Sequence, residues 1–250
     1  MTVAVAYKWA ANPQDAQVGA DGTVDWSRAK AAVSEYDPVA IQVGRAVADA
    51  AGTPLIGVSV GTSATAGSMA KKAALSRGLD KAVLVADDAV AAWNLTQVAG
   101  ALARLITRTG DVDLLVTGDS SIDENAKMVP ALVAGHLGWP CFQDVTGVSK
   151  TDGGWSITQE VAGGRRTVAV TGPAVVAVTT DAAAVKVPGM KDILAAGKKP
   201  AETVPVADLA LTGVPLQVAA RRRPQARSRK NLIVSDAAAL AQALRTDGVL

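Results

Sequence analysis

Apolar residues fall in short unbroken runs along the first two thirds of the chain, and the longer stretches between them repeat at helical spacing. Val3 to Tyr7 is a run rich in β-branched residues, followed by a polar loop from Asn12 to Trp26. Pro38 to Ala51 sets Val39, Val43, Val47 and Ala51 on one face, with Gly52 after the end, and predicts a helix. Leu55 to Val60 reads as a buried strand closed by Gly61. Ser63 is placed to cap a helix running through Leu75, with Gly78 ending it. Ala82 to Ala86 predicts the next strand. Ala91 to Thr109 predicts a long helix bearing Val98, Leu102, Leu105 and Ile106. Leu114 to Thr117 predicts a strand and Asn125 to Leu137 a helix.

Strands that are apolar throughout, separated by helices, belong to parallel sheets covered on both faces. The expected fold class is therefore α/β: a three-layer, doubly wound, mostly parallel sheet. Ligands on such sheets bind outside the carboxyl ends of the strands, where the strand order reverses. The loops after Tyr7, Val60, Ala86 and Thr117 are the places to look.

The pattern changes after Pro140. Trp155 to Val161 and Arg166 to Val170 flank Gly163-Gly164 and predict a hairpin, and Pro173 to Thr179 predicts a further strand. The sheet should thus gain antiparallel strands late. Residues 181–215 read as irregular, with Pro188, Gly189, Gly197, Pro200, Pro205 and Gly213. Arg221 to Lys230 is a basic linker, and Ser235 to Leu244 a last amphipathic helix capped by Ser235 or Asp236, forming an extended C-terminal arm.

Composition narrows the function classes. With 49% hydrophobic and 19% charged residues in 250, a sizeable core can form. Aromatics are only 3%, so the core must be built from Ala, Val and Leu. A net charge of +2 carries no global argument for nucleic acid or an acidic membrane surface. The lone Cys141 cannot form an internal disulfide, which fits a reducing cytoplasm. Cys141 and the lone His136 do not make a zinc site, and nothing around His136 looks like a nucleophile site, so His136 is read as an ordinary helix residue. No apolar run approaches the ~20 residues of a membrane span, and MTVAVAYKW lacks the features of a leader, so a cytoplasmic protein without membrane insertion is expected.

The most informative stretch is LLVTGDSSIDENAKMVPALVAGHLGWP, from Leu114 to Pro140. A strand ends in Thr117-Gly118-Asp119, a polar loop follows, and a helix is expected to start near Asp123. Free N–H groups at a helix N-terminus make an anion site, which would hold a nucleotide phosphate. The plainer reading is a strand–loop–helix connection with an Asp cap. No G-x-x-x-x-G-K-[ST] or G-x-G-x-x-G motif is present.

SIDENAKMVPALVAGHLGWP resembles the nucleotide-binding signature of electron-transfer flavoprotein β subunits, roughly A-I-D-G-D-T-x-Q-V-G-P-x-x-A-x-x-L-x-W-P. The two align without a gap from Ile122 to Pro140, matching at Ile122, Asp123, Val129, Ala134, Leu137, Trp139 and Pro140. VAYKW is similar to the family's V-x-V-K strand. EYDPVAIQVGRAV resembles its N-P-x-x-x-x-A-[LV]-E-x-A helix start, with Asp37 where Asn is usual. KKAALSRGLDKAVLV, VPGMKDILAAGKKP and KNLIVSDAAALAQALRTDGVL resemble later segments in the same order.

The resemblance implies an electron-carrying subunit without catalytic residues of its own. Its partner would be an α subunit holding FAD. This chain would bind AMP, or a second FAD in electron-bifurcating members. Electrons would come from flavin dehydrogenases of the acyl-CoA dehydrogenase type, and the redox chemistry would belong to the flavin. By match, the nucleotide would touch Ala6, Asp37, Pro38, Val39, Ala40 and Val60. It would also touch Asp123, Glu124, Asn125, Ala126, Lys127, Met128, Val129, Pro130 and Ala134, with Asp119 in the adjoining loop. The family's Thr, Gln and Gly of the phosphate loop fall on Ala126, Met128 and Pro130, so the site is degenerate. Two side-chain donors are lost, and Pro has no N–H. Each lost hydrogen bond to a charged phosphate costs about 1.5–3 kcal/mol. Lys127 either compensates as a point charge or lies on the solvated face.

Val185 to Pro200 matches the family's recognition loop. Aligning on Lys191, Ile193 and Lys198-Lys199-Pro200 puts Met190 at the apolar anchor for a partner dehydrogenase, unless Met190 is tucked into its own subunit. Lys198 and Lys199 would steer an acidic partner. The resulting division is a nucleotide-binding-type domain over 1–180, a partner-recognition loop region over 181–215, and an arm over 216–250 that contacts the α subunit. The basic run Arg221 to Lys230 carries no aromatic residue to stack on bases, so no nucleic-acid partner is expected. A hydrolysing or adenylating enzyme would need S-G-G-x-D-S or a Walker lysine, and neither is present. A regulatory nucleotide-binding module of the universal-stress type would leave 181–250 unexplained.

Overall fold

A computed structural model describes residues 2–211, 219 and 224–250. In chain order the elements are β1 (Thr2–Ala6), β2 (Trp9–Ala11), β3 (Gln17–Val18), β4 (Val24–Asp25), β5 (Ala31–Val33), α1 (Asp37–Ala51) and β6 (Leu55–Gly61). Then come α2 (Ser68–Leu75), β7 (Lys81–Ala86), α3 (Leu95–Thr109), β8 (Val112–Gly118) and α4 (Val129–Leu137). The remainder is β9 (Cys141–Thr151), β10 (Gly154–Val161), β11 (Gly164–Thr171), β12 (Ala174–Val178), α5 (Met190–Ala196), β13 (Ala201–Thr203) and α6 (Ala237–Thr246).

One nine-stranded sheet runs in the order β11-β10-β9-β12-β8-β1-β6-β7-β13. From β9 to β13 every neighbouring pair is parallel, while β10 pairs antiparallel with both β9 and β11. Alternation along β1 divides the core into two layers. Val3 and Val5 pack with α1 and α2 on one face, and Ala4 and Ala6 with α3 and α4 on the other. Helices on both faces of a mostly parallel sheet are the expected α/β architecture. The order reverses at β1, whose neighbours are β6 on one side and β8 on the other. A crevice at the carboxyl ends of β1 and β8 follows from that reversal.

Local chemistry moves several boundaries. The predicted helix from Ala91 starts at Leu95, because Asn94 accepts from the Gln97 N–H at 3.0 Å and Gln97 returns the bond to the Asn94 N–H at 3.1 Å. Ser63 is no cap for α2. It opens a short 3-10 turn ending at Ala66, and its hydroxyl donates to Asp88 at 2.7 Å. The helix expected from Asn125 begins at Val129, since Pro130 is tolerated only in a first turn. The polar stretch after Asn12 holds the small pairs β2–β5 and β3–β4. Gly164 belongs to β11, opposite Val161, leaving Ala162 and Gly163 as the hairpin turn. β9 was not foreseen. Within 181–215, read as irregular, lie α5 and β13. At the chain's end Asp236 caps α6 by accepting from Ala239 N–H at 2.8 Å. No residue of α6 is buried. The first three residues of the basic run, 221–223, lie outside the described residues, as does the expected boundary between loop region and arm at 215 and 216.

Candidate functional site

The crevice is a cavity of about 310 Å³, at the lower end of the range for small-molecule sites, ~300–1,000 Å³. β1 and β8 end on either side of it. The turn after β1 contributes Lys8 and Trp9, and the end of β6 contributes Val60 and Gly61. The loop after β8 supplies Asp119 to Lys127, and α4 begins at its rim. The inner wall is apolar, formed by Ala6, Val60, Val90, Trp93, Val98 and Leu102. Gly118 is required where β8 meets α1: a Cβ there would lie 2.8 Å from the Tyr36 Cβ and 3.0 Å from Asp37 Oδ1.

The polar side is built from four carboxyl groups, two lysines and the hydroxyl residues Thr62, Thr117, Ser120 and Ser121. Asp37, at the start of α1, is 5% exposed and accepts from the Lys8 N–H at 2.7 Å. Burial pushes its pKa up to about 8, against the lowering effect of Lys8. Lys8 Nζ lies 2.6 Å from Asp123 Oδ2. Lys127 Nζ lies 2.9 Å from Asp119 Oδ2, whose other oxygen is buried without a hydrogen-bond partner among the described residues. Burial raises the pKa of Asp123, but the Lys8 ammonium and further hydrogen bonds outweigh it and hold the carboxyl below its usual range. Ser34, 1% exposed, ties the loops together: its hydroxyl accepts from the Ile122 N–H at 3.2 Å, and its N–H donates to Lys8 O at 2.9 Å.

The loop from Asp119 to Met128 owes its shape to residues far along the chain. Asn125 and Lys127 adopt positive φ, 48° and 54°. The Asn125 N–H bonds back to Ser121 O at 3.0 Å, and its side-chain oxygen accepts from the Ser120 hydroxyl at 2.7 Å. Gln143 on β9 donates to Lys127 O at 3.0 Å. Gln159 on β10 donates to Gln143 O at 2.6 Å, and Arg166 on β11 donates to Gln159 Oε1 at 3.0 Å. A ladder of side chains therefore holds the loop from the side of the hairpin.

Of the residues picked out in the sequence, Ala6, Asp37, Val60, Asp119, Asp123, Glu124, Ala126, Lys127, Met128, Val129 and Pro130 line this one cavity. Pro38, Val39 and Ala40 do not: they are buried along α1. Ala134 is buried against α3 and the sheet. Asn125 turns its carboxamide to Ser120. Lys8, Trp9 and Trp93 line the cavity without having been singled out. The first two follow the carboxyl end of β1, a position the parallel-sheet rule marks. His136 packs across from Gly100 of α3, as an ordinary helix residue does.

The recognition segment divides sharply. Met190 is 73% exposed on α5, Leu194 and Val187 are exposed beside it, and Ile193 is exposed less. Lys198 is exposed. Lys199 corrects its expected steering role, because its ammonium donates to Leu75 O at 3.0 Å and Leu79 O at 2.6 Å, capping the end of α2. In return Lys71 of α2 donates to Gly197 O at 3.3 Å.

The nucleotide phosphate implied by the resemblance does not fit these residues. Both lysines of the wall are matched by carboxylates, and Glu124 adds one more. Ala126 and Met128 bring no side-chain donors, and Pro130 removes an N–H from the first turn of α4. Among the described residues, no helix is long and apolar enough to cross a membrane. Residues 21–209 match the family model described as the electron transfer flavoprotein domain. That span covers most of the chain and nearly all of the sheet, and the chain belongs to the electron transfer flavoprotein domain family.

Proposed function

We propose that this chain is the β-type subunit of a heterodimeric electron transfer flavoprotein. It passes electrons from flavin dehydrogenases of the acyl-CoA dehydrogenase type through FAD held mainly by an α subunit. The flavin supplies the redox chemistry, and this chain supplies binding surface and orientation, with no catalytic side chain of its own. It would work in the cytoplasm.

The observation that carries this reading is apolar surface left uncovered on a member of this family. Residues 224–234 form no regular structure, Leu232 and Ile233 are 66% and 95% exposed, and α6 buries nothing. Such a segment gains stability by lying along another chain. Met190, Ile193 and Leu194 on α5 supply a separate apolar face for the donor, with Lys198 beside it.

The test is purification of the tagged chain from its native cells, followed by a visible spectrum and identification of what accompanies it. A flavin spectrum with a second chain at one-to-one ratio is the expected result. A colourless chain without a stoichiometric partner overturns the reading in favour of a nucleotide-binding regulatory module.

A further inference from the structure

The cavity at the ends of β1 and β8 pairs an apolar interior with an acidic mouth. Trp9 and Trp93 contribute aromatic surface to it. Aromatic and aliphatic walls of this kind accept a planar ring. At the mouth, the Lys8 and Lys127 ammonium groups are neutralised at 2.6 Å and 2.9 Å by Asp123 and Asp119. Glu124 adds a carboxylate, Asp37 lies buried behind them, and Asp119 Oδ1 is a buried acceptor with no partner among the described residues. An incoming phosphate would meet the Asp119 and Glu124 carboxylates, whose like charge repels it. A hydroxyl or amine would find acceptors there.

We infer that this cavity binds a planar, donor-bearing ligand of the nucleoside class, uncharged or cationic, and discriminates against nucleotides, including AMP and the diphosphate of FAD. The nucleoside class rests on the family reading above. The rejection of phosphate rests on the cavity itself. Asp119 and Glu124 are the specificity-determining residues, and each acts through its charge and its acceptor oxygens. Neutralising one of them relaxes the discrimination, while the apolar wall and ring binding stay intact.

The experiment titrates the full-length chain, and its flavoprotein complex where that forms, with adenosine, AMP, FAD and inorganic phosphate. Heat of binding and tryptophan fluorescence are the readouts. Adenosine is expected to bind with AMP roughly 10–100-fold weaker, the gap narrowing at high salt because it is electrostatic. Asp119→Asn and Glu124→Gln are each expected to narrow it by roughly 3–10-fold at low salt. Glu124 is exposed, so the second variant reads the charge effect even if the first disturbs the loop. AMP or FAD binding as tightly as adenosine, either nucleotide released on denaturing the native protein, or no binding of adenosine would each overturn the inference. A flavin complex that forms normally but binds AMP tightly sinks this inference alone. A chain without a flavin partner sinks the functional proposal, and the adenosine-to-AMP ratio then still judges the cavity.

Discussion

The cavity and the α5 surface lie in one chain but treat their reactive groups in opposite ways. At the cavity, Lys8 and Lys127 are turned onto carboxylates of the same wall. On α5, Met190 and Leu194 are left open to solvent. Charges satisfied within a subunit make a site that selects by exclusion. Apolar side chains left unsatisfied make a surface that binds by burial. The two regions should therefore respond to different substitutions and leave each other undisturbed.

The largest effect is expected at the base of the docking surface. Lys199→Met removes an ammonium from two backbone carbonyls and should cost about 3 kcal/mol. Thermal unfolding would read this as a Tm lowered by roughly 6–12 °C. Electron transfer from the donor should slow, while adenosine binding per folded molecule should be unchanged. Gly118→Ala is the counterpart at the cavity. Its Cβ has no room against Tyr36 and Asp37, so it should cost about 2 kcal/mol. Calorimetry should show ligand binding lost, with donor kinetics retained in the folded fraction.

Met190→Ala should leave stability and subunit pairing intact and weaken donor docking by about tenfold, close to 1.4 kcal/mol. Stopped-flow reduction by the donor measures it, and unchanged kinetics would remove Met190 from the docking surface. A different kind of effect, visible only as a pH dependence, belongs to Asp37, whose folded pKa of about 8 lies above that of an unfolded aspartate. The folded state then holds the extra proton between about pH 4 and pH 8, so stability falls as pH rises through that window. Asp37→Asn keeps the acceptor for the Lys8 N–H and removes the titration. Relative to the parent it should gain stability steadily as pH rises from 4 to 9, with little difference at pH 4. Equal pH profiles from urea unfolding would contradict the buried carboxyl.

What could be read in the sequence tracks what was buried. β1, β6, β7, β8 and β12 are apolar on both faces and announce themselves as strands. β9 is invisible by that criterion because only Val145 among its residues is buried. It exists through backbone pairing to β12 and β10. The place of the cavity was legible because strand ends in a parallel sheet predict where ligands go, and most of its lining residues came from the family resemblance. Its charge pairing was not. Lys127 meets Asp119 across a loop in which Asn125 and Lys127 take positive φ, a conformation their residue types permit but do not demand. Lys199 shows the reverse case: a lysine in a charged pair looks like surface, and only the folded chain reveals the carbonyls it serves.

The ladder from Arg166 through Gln159 and Gln143 to Lys127 gives the hairpin a say in ligand choice. Its rungs sit on three neighbouring strands, so it depends on the register of β11 against β10 and of β10 against β9. A one-residue slip would turn Gln159 to the other face and release the loop. Changes in hairpin length or register can thus retune the pocket without altering any residue that lines it. In descendants of this chain, the hairpin should drift together with the Asp119–Met128 loop while the parallel strands hold still.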